Sequence, residues 1–258
     1  MNKLPAKAGW QWVTQALQLF RKQPGALMAL FFCCMFLSLF SLVVPLLGSV
    51  APTLLAPMFT IAMLQACADI DHGKRAMPNL VLSGFRKPAR NALLGLGVLY
   101  LLVMLLALAV LSWLDDGVLI QMATRQIPMD KDLLENSRSA LFVSSGIYML
   151  GWMLTCLAAP LIYWQKMTLA KALFFSVVAV CRDLKAFLTA AVVLFLMFQV
   201  GSMIPVLLFD SAQLEVTAIF TIFLIMVVLM HCTLYACYRQ IFGMPEASAP
   251  PPPATPRT

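Results

Sequence analysis

Long uncharged apolar runs alternate along the chain with short polar segments. No charged residue lies between Gln23 and Ala68. A transmembrane helix needs about 20 apolar residues at about 1.5 Å of rise each. That first run therefore holds two spans, and Pro45-Leu46-Leu47-Gly48-Ser49 supplies the turn chemistry that divides it. Four further runs are each one span long. The pattern predicts an all-α polytopic membrane protein with six spans, near residues 25–45, 50–68, 92–114, 140–163, 187–209 and 216–238.

The polar segments differ in sign. Lys3, Lys7, Arg21 and Lys22 precede the first span, and Lys74, Arg75, Arg86, Lys87 and Arg90 separate the second from the third. Lys166, Lys171, Arg182 and Lys185 separate the fourth from the fifth, and Arg239 and Arg257 follow the sixth. The alternate loops hold only Arg125, Lys131 and Arg138 among the basic residues, and most of the acids. Basic residues in short loops stay on the cytoplasmic side, so both termini are expected there.

Two segments on the basic side repeat apolar residues at helical spacing, and a third does so more weakly. Trp10, Val13, Leu17 and Phe20 share one face opposite Lys7, Gln11, Gln18 and Lys22; Leu169, Leu173, Val177, Val180 and Leu184 do the same, with Thr168 at the N-cap. The apolar stretch Ala172–Cys181 is too short to span. Amphipathic helices with basic flanks lie in the headgroup plane. The poorest match of the three, around Met77–Phe85, precedes the third span. Together they suggest three units of in-plane helix, span, turn and span. Arg21, Lys22, Arg86, Lys87, Arg182 and Lys185 are the expected headgroup contacts.

Composition changes little in this picture and excludes much. Of 258 residues 62% are hydrophobic and 11% charged, whereas a soluble domain carries about 25% charged residues. The net charge of +7 reads as topology signal and attraction to anionic lipid rather than nucleic-acid binding. Membrane lipids and other membrane proteins are the expected partners. Seven cysteines sit in or beside apolar runs without metal-ligand spacing. The chain divides into one membrane domain, 1–243, and a Pro/Ala-rich tail, 244–258, expected to be disordered or polyproline-like.

Candidate chemistry is sparse. His231 is the one ionisable side chain inside an expected span, where such groups are costly; a neutral, hydrogen-bonded structural role is favoured over a proton relay. Cys67, Asp69, Asp71 and His72 crowd one end of the second span, and a solvated helix end is favoured over a metal site. Pro52 and Pro57 are expected to free carbonyls that need partners, either breaking the second span so that it lines a site or, the favoured reading, only kinking it for packing. Gln65, Gln199 and Ser202 complete the candidate pathway or polar interior. No phosphate-loop, nucleophile-elbow or zinc-protease motif is present. No catalytic residue, cofactor or metal is expected.

Gly9-Trp10-Gln11-Trp12, Leu17-Gln18-Leu19-Phe20 with Pro24, Val44-Pro45 with Gly48, and Leu55-Ala56-Pro57-Met58 resemble a family of uncharacterised six-span integral membrane proteins of proteobacteria. The resemblance implies a bacterial inner-membrane location and no assigned activity. More distantly, an in-plane helix followed by paired spans resembles membrane domains that accompany bacterial glycerophosphodiesterases, whose catalytic domain is absent here. The expected function is non-enzymatic: accessory, structural or lipid-contacting. The alternative is a small-solute or lipid transporter or channel, its path lined by the broken second span.

Overall fold

The computed structural model describes residues 3–41, 48, 50–124, 128 and 131–245. Among them the architecture is all-helical, and six helical segments are long and apolar enough to cross a membrane. The Pro45–Ser49 turn, apart from Gly48, and the tail beyond Pro245 lie outside the described residues.

Helix α1 (Lys7–Lys22) ends at Gln23, because a residue before proline disfavours the helical region, and Pro24 opens α2 (Pro24–Ser41). The Gln23 side chain donates to the Lys74 carbonyl (2.9 Å) and accepts from the Ala76 N–H (3.2 Å). It thus ties the α1–α2 corner to the chain leaving α3 (Ala51–Asp71). Gly73, with φ of +76°, terminates α3. A 3₁₀ segment, Pro78–Phe85, follows where the weakest in-plane helix is expected. Gly84 lets it lie directly on α3: a Cβ there would come within 2.6 Å of the Met58 Cα.

The third span, α4 (Arg90–Leu114), leads into α5 (Val118–Ala123) and α6 (Lys131–Asn136), the short helices of the acidic loop. The Asp115 carboxylate accepts the N–H groups of Gly117 and Leu119, at 3.1 and 2.9 Å, and so begins α5. The fourth span is interrupted. It comprises α7 (Arg138–Thr155) and α8 (Ala158–Trp164), broken just before Pro160. The interruption is stitched from α9 (Leu169–Arg182): the Ser176 hydroxyl accepts the Leu157 N–H (3.2 Å) and donates to the Leu154 carbonyl (2.7 Å). Thr168 occupies the N-cap position of α9 as expected, although its side chain makes no capping bond.

Spans α10 (Leu184–Leu208) and α11 (Ala212–Phe242) complete the chain. At 31 residues, α11 is roughly 46 Å long, well beyond a hydrocarbon core of about 30 Å. The element order therefore runs three times through a short basic-side segment, a span and a span.

The second span is continuous, contrary to the broken reading. Pro52 sits in the first turn of α3, where its missing N–H frees no carbonyl, and the helix runs unbroken through Pro57. Helix α3 is also the hub. Of its most apolar stretch 72% is buried, against 6% for α10 at the periphery. Gly97 of α4 lies against the Leu54 backbone, where any Cβ would overlap the carbonyl oxygen. Close backbone approach of this kind is how spans associate where no hydrophobic drive separates protein from lipid.

Helix α1 packs through a different stripe from the expected one. Its buried residues are Ala8, Gly9, Trp12, Val13, Ala16 and Leu19, while Trp10 is 56% exposed. A Cβ on Gly9 would overlap the Ala186 oxygen and come within 2.8 Å of the Ala190 nitrogen, so α1 touches the backbone of α10 directly. The Trp12 ring meets Phe187 edge-on at 5.2 Å, and its indole N–H donates to the Gln240 amide oxygen.

Candidate functional site

Two features stand out inside this frame: a polar cluster where α1, α3, α8 and α11 meet at the basic end, and a cavity deeper in the bundle.

The cluster is built on Asp71, the last residue of α3. The Arg239 guanidinium pairs with its carboxylate, and the Tyr235 hydroxyl, one helical turn earlier on α11, donates to the same oxygen at 2.9 Å. Arg239 also donates to the Gln15 side chain of α1 at 2.9 Å. A pocket of about 80 Å³ lies over the pair, bordered by Gln15, Gln18, Lys22 and Tyr235. Beside it, Gln65 donates to Asp69 (3.2 Å) and accepts from the Trp164 indole (3.0 Å). The Trp164 ring lies 4.7 Å from that of Tyr238, whose hydroxyl accepts from Gln165 at 3.3 Å. His72 bonds the Ala68 carbonyl at 2.8 Å. No group of three His, Cys, Asp or Glu side chains placed to hold a metal ion exists among the described residues.

The cavity has a volume of about 320 Å³ and is walled by α2, α3, α4, α7, Cys156 and α11. Phe31, Met35, Phe59, Met63, Trp152 and Leu234 make most of its surface; Ser38, Thr60, Tyr100 and His231 supply the polar points. No carboxylate lines it. His231 holds the Val227 carbonyl at 2.8 Å through Nδ1. The Ser38 hydroxyl turns back onto the Cys34 carbonyl at 3.0 Å.

The candidate pathway residues are dispersed. Pro52 and His231 line the same cavity. Pro57 is buried in α3, and Gln65 belongs to the polar cluster. Gln199 is exposed on the outer side of α10, and Ser202 bonds the Gln199 carbonyl at 3.0 Å. Of the expected headgroup contacts, Arg21, Lys22, Arg86, Lys87 and Lys185 are exposed. Arg182 instead bonds Asp183 through Nε at 3.0 Å. Sequence reasoning noted Asp71 only as one of a crowd, and Arg239 only as a flanking charge. Their opposite signs on one side of the membrane were the available signal for a pair.

Over 265 aligned residues, the chain is 30% identical to a probable inner membrane protein of Burkholderia thailandensis, covering 98% of this chain and 97% of that one. The chain belongs to that protein's family. This relationship and the six apolar helices together make it a multi-pass protein of the inner membrane. No family model matches the sequence, and no solved structure matches it.

Proposed function

We propose that this protein is a non-catalytic, lipid-contacting accessory component of the inner membrane, with both termini cytoplasmic. The observation that carries the reading is a repeated pairing at the basic end. Trp10 on α1 (56% exposed) accompanies Arg21 and Lys22; Leu82 (56%) accompanies Arg86 and Lys87; Phe174 on α9 (64%) accompanies Lys171 and Lys185. Each basic-side region thus carries an exposed large apolar side chain suited to the acyl boundary together with exposed cations suited to headgroups. Each exposed cation near an anionic surface contributes about 1 kcal/mol, screened by salt.

The transporter alternative retains one supporting observation, the cavity shared by Pro52 and His231. The likeness to glycerophosphodiesterase-associated membrane domains remains one of layout and contributes no activity.

The test is reconstitution of the full chain into nanodiscs of zwitterionic or mixed zwitterionic and anionic lipid. The anionic discs should raise the midpoint of thermal unfolding, by an amount that shrinks with added salt. Exchanging Arg21, Lys22, Arg86 and Lys87 together for Gln should remove most of that gain. Equal midpoints in both discs would reject the headgroup role. Orientation is checked separately by cysteine labelling, which should place residue 127 outside and residues 80 and 245 inside.

A further inference from the structure

We propose that the intramembrane cavity is a binding site for one membrane-resident apolar molecule carrying an O–H donor, such as a single-chain alcohol or a phenol, with that hydroxyl bonded to Nε2 of His231. The site goes beyond headgroup contact and does not depend on it.

The tautomer comes first. The Val227 carbonyl can only accept, so the Nδ1 atom at 2.8 Å must carry the proton. In the neutral ring the lone pair then belongs to Nε2, and no other hydrogen bond joins this ring to a described residue. The ring lies on the cavity wall. The cavity wall reaches from Pro52, in the first turn of α3, to Met63 near the middle of that span, with His231 facing it from α11. An acceptor on that apolar wall is matched by a ligand that brings a donor, and one such bond contributes about 0.5–1.5 kcal/mol.

Size and lining choose the rest of the molecule. The cavity, about 320 Å³, is roughly twice the engineered apolar cavity of about 150 Å³ that accommodates benzene. It therefore suits a short chain or a substituted ring, and is too small for a whole two-chain lipid. Phe31, Phe59 and Trp152 offer flat apolar surface, while Met35 and Met63 offer adaptable surface. The Ser38 proton is already committed to the Cys34 carbonyl, and the Thr60 and Tyr100 hydroxyls can each donate or accept, whereas Nε2 of His231 can only accept, so the distinctive polar demand of this wall is for a donor facing His231. A bare acyl chain fills the volume and leaves that demand unmet; a polar solute meets it and wastes the apolar wall.

Trp152 provides the readout, because bromine quenches indole fluorescence on contact. The full-length protein in nanodiscs is titrated with 10-bromodecan-1-ol and with 1-bromodecane, and the Trp152 contribution is isolated by difference from Trp152→Phe. The alcohol should quench saturably and half-saturate at about a tenfold lower mole fraction than the bromoalkane, as expected for one hydrogen bond. His231→Phe should erase that difference, and Met63→Trp, which fills the cavity, should abolish saturation by both probes. Equal half-saturation by alcohol and alkane in the unmodified protein would show a nonselective crevice for acyl chains and overturn the proposal. So would quenching that never saturates, or a preference that survives in His231→Phe. If that variant does not fold, the comparison of the two probes on the unmodified protein decides alone.

Discussion

Arg239 and Asp71, separated by 168 positions in sequence, are ion-paired where α11 and α3 end together at the basic side. The aspartate side chain is only 13% exposed and also accepts the Tyr235 hydroxyl, so removing either partner leaves charge or polarity poorly solvated. Asp71→Asn or Arg239→Met should each destabilise the protein by about 2 kcal/mol. Combining Asp71→Asn with Arg239→Met should cost less than the sum of the two single changes. A thermal-unfolding mutant cycle in detergent measures this, and a coupling below about 0.5 kcal/mol would show that the pair is solvated.

The two glutamines expected to line a path should behave oppositely. Gln65 is 3% exposed and bonded to both Asp69 and Trp164. Gln65→Leu should therefore cost about 2 kcal/mol, mainly through the stranded Trp164 indole. The Gln199 side chain is exposed on α10, with no hydrogen bond to a described residue. Gln199→Leu should change stability by less than about 0.5 kcal/mol. Comparable losses in both variants would mean that Gln199 has a partner outside this chain.

Docking of α1 depends on an absent side chain. Gly9→Val forces a Cβ into the Ala186 carbonyl and should lift α1 from α10. Limited trypsin digestion should then cut earlier at Arg21 and Lys22. Gly25→Ala is the control, because nothing lies within 4 Å of its Cβ position. An unchanged cleavage rate in Gly9→Val would refute direct backbone contact.

Ser176 joins α9 to the interrupted fourth span through one accepted and one donated bond. Ser176→Ala preserves the helix and leaves the Leu157 N–H and the Leu154 carbonyl without that partner. The expected loss is about 2 kcal/mol, together with faster amide exchange around residues 154–157. Unaltered exchange there would mean that other groups hold the break.

Charge reversal on the basic side should not be uniform. Arg21 and Arg86 are exposed, whereas Arg182 holds the carboxylate of Asp183, whose side chain has no solvent exposure. That carboxylate also accepts the Leu4 N–H at 2.9 Å. The hydrogen bond to Asp183 raises the Arg182 pKa above its already high ordinary value, so the guanidinium stays charged throughout the usable pH range. Arg182→Glu should cost about 3 kcal/mol, while Arg21→Glu and Arg86→Glu should act mainly on insertion and anionic-lipid dependence. Equal stability losses in all three would remove the distinction.

Hydropathy made depth legible and left direction around each helix obscure. Five uncharged runs located six spans, because crossing lipid demands length without charge. The same runs placed Gln199 and His231 inside the bilayer but could not distinguish an outward glutamine from an inward histidine. On α1 the apolar signal favoured the large Trp10, yet the stripe that packs contains Ala8, Gly9 and Ala16, whose value is smallness. Pro57 was read as a break or a kink, but losing one N–H leaves the other turns of α3 intact. The Arg239–Asp71 pair was hidden by its separation: each charge is visible in sequence, and only packing of the last span on the second shows that they meet.

The position of α3 has a consequence for anything that crosses this protein. A ring of equivalent helices leaves its centre vacant, and a conduit can run along the symmetry axis. Here the axis is solid, because a span occupies it with its backbone pressed against α4 and its end locked to α11. Traffic through the molecule would have to travel off-centre, along seams between an axle and its spokes, and the cavity beside His231 is one such seam.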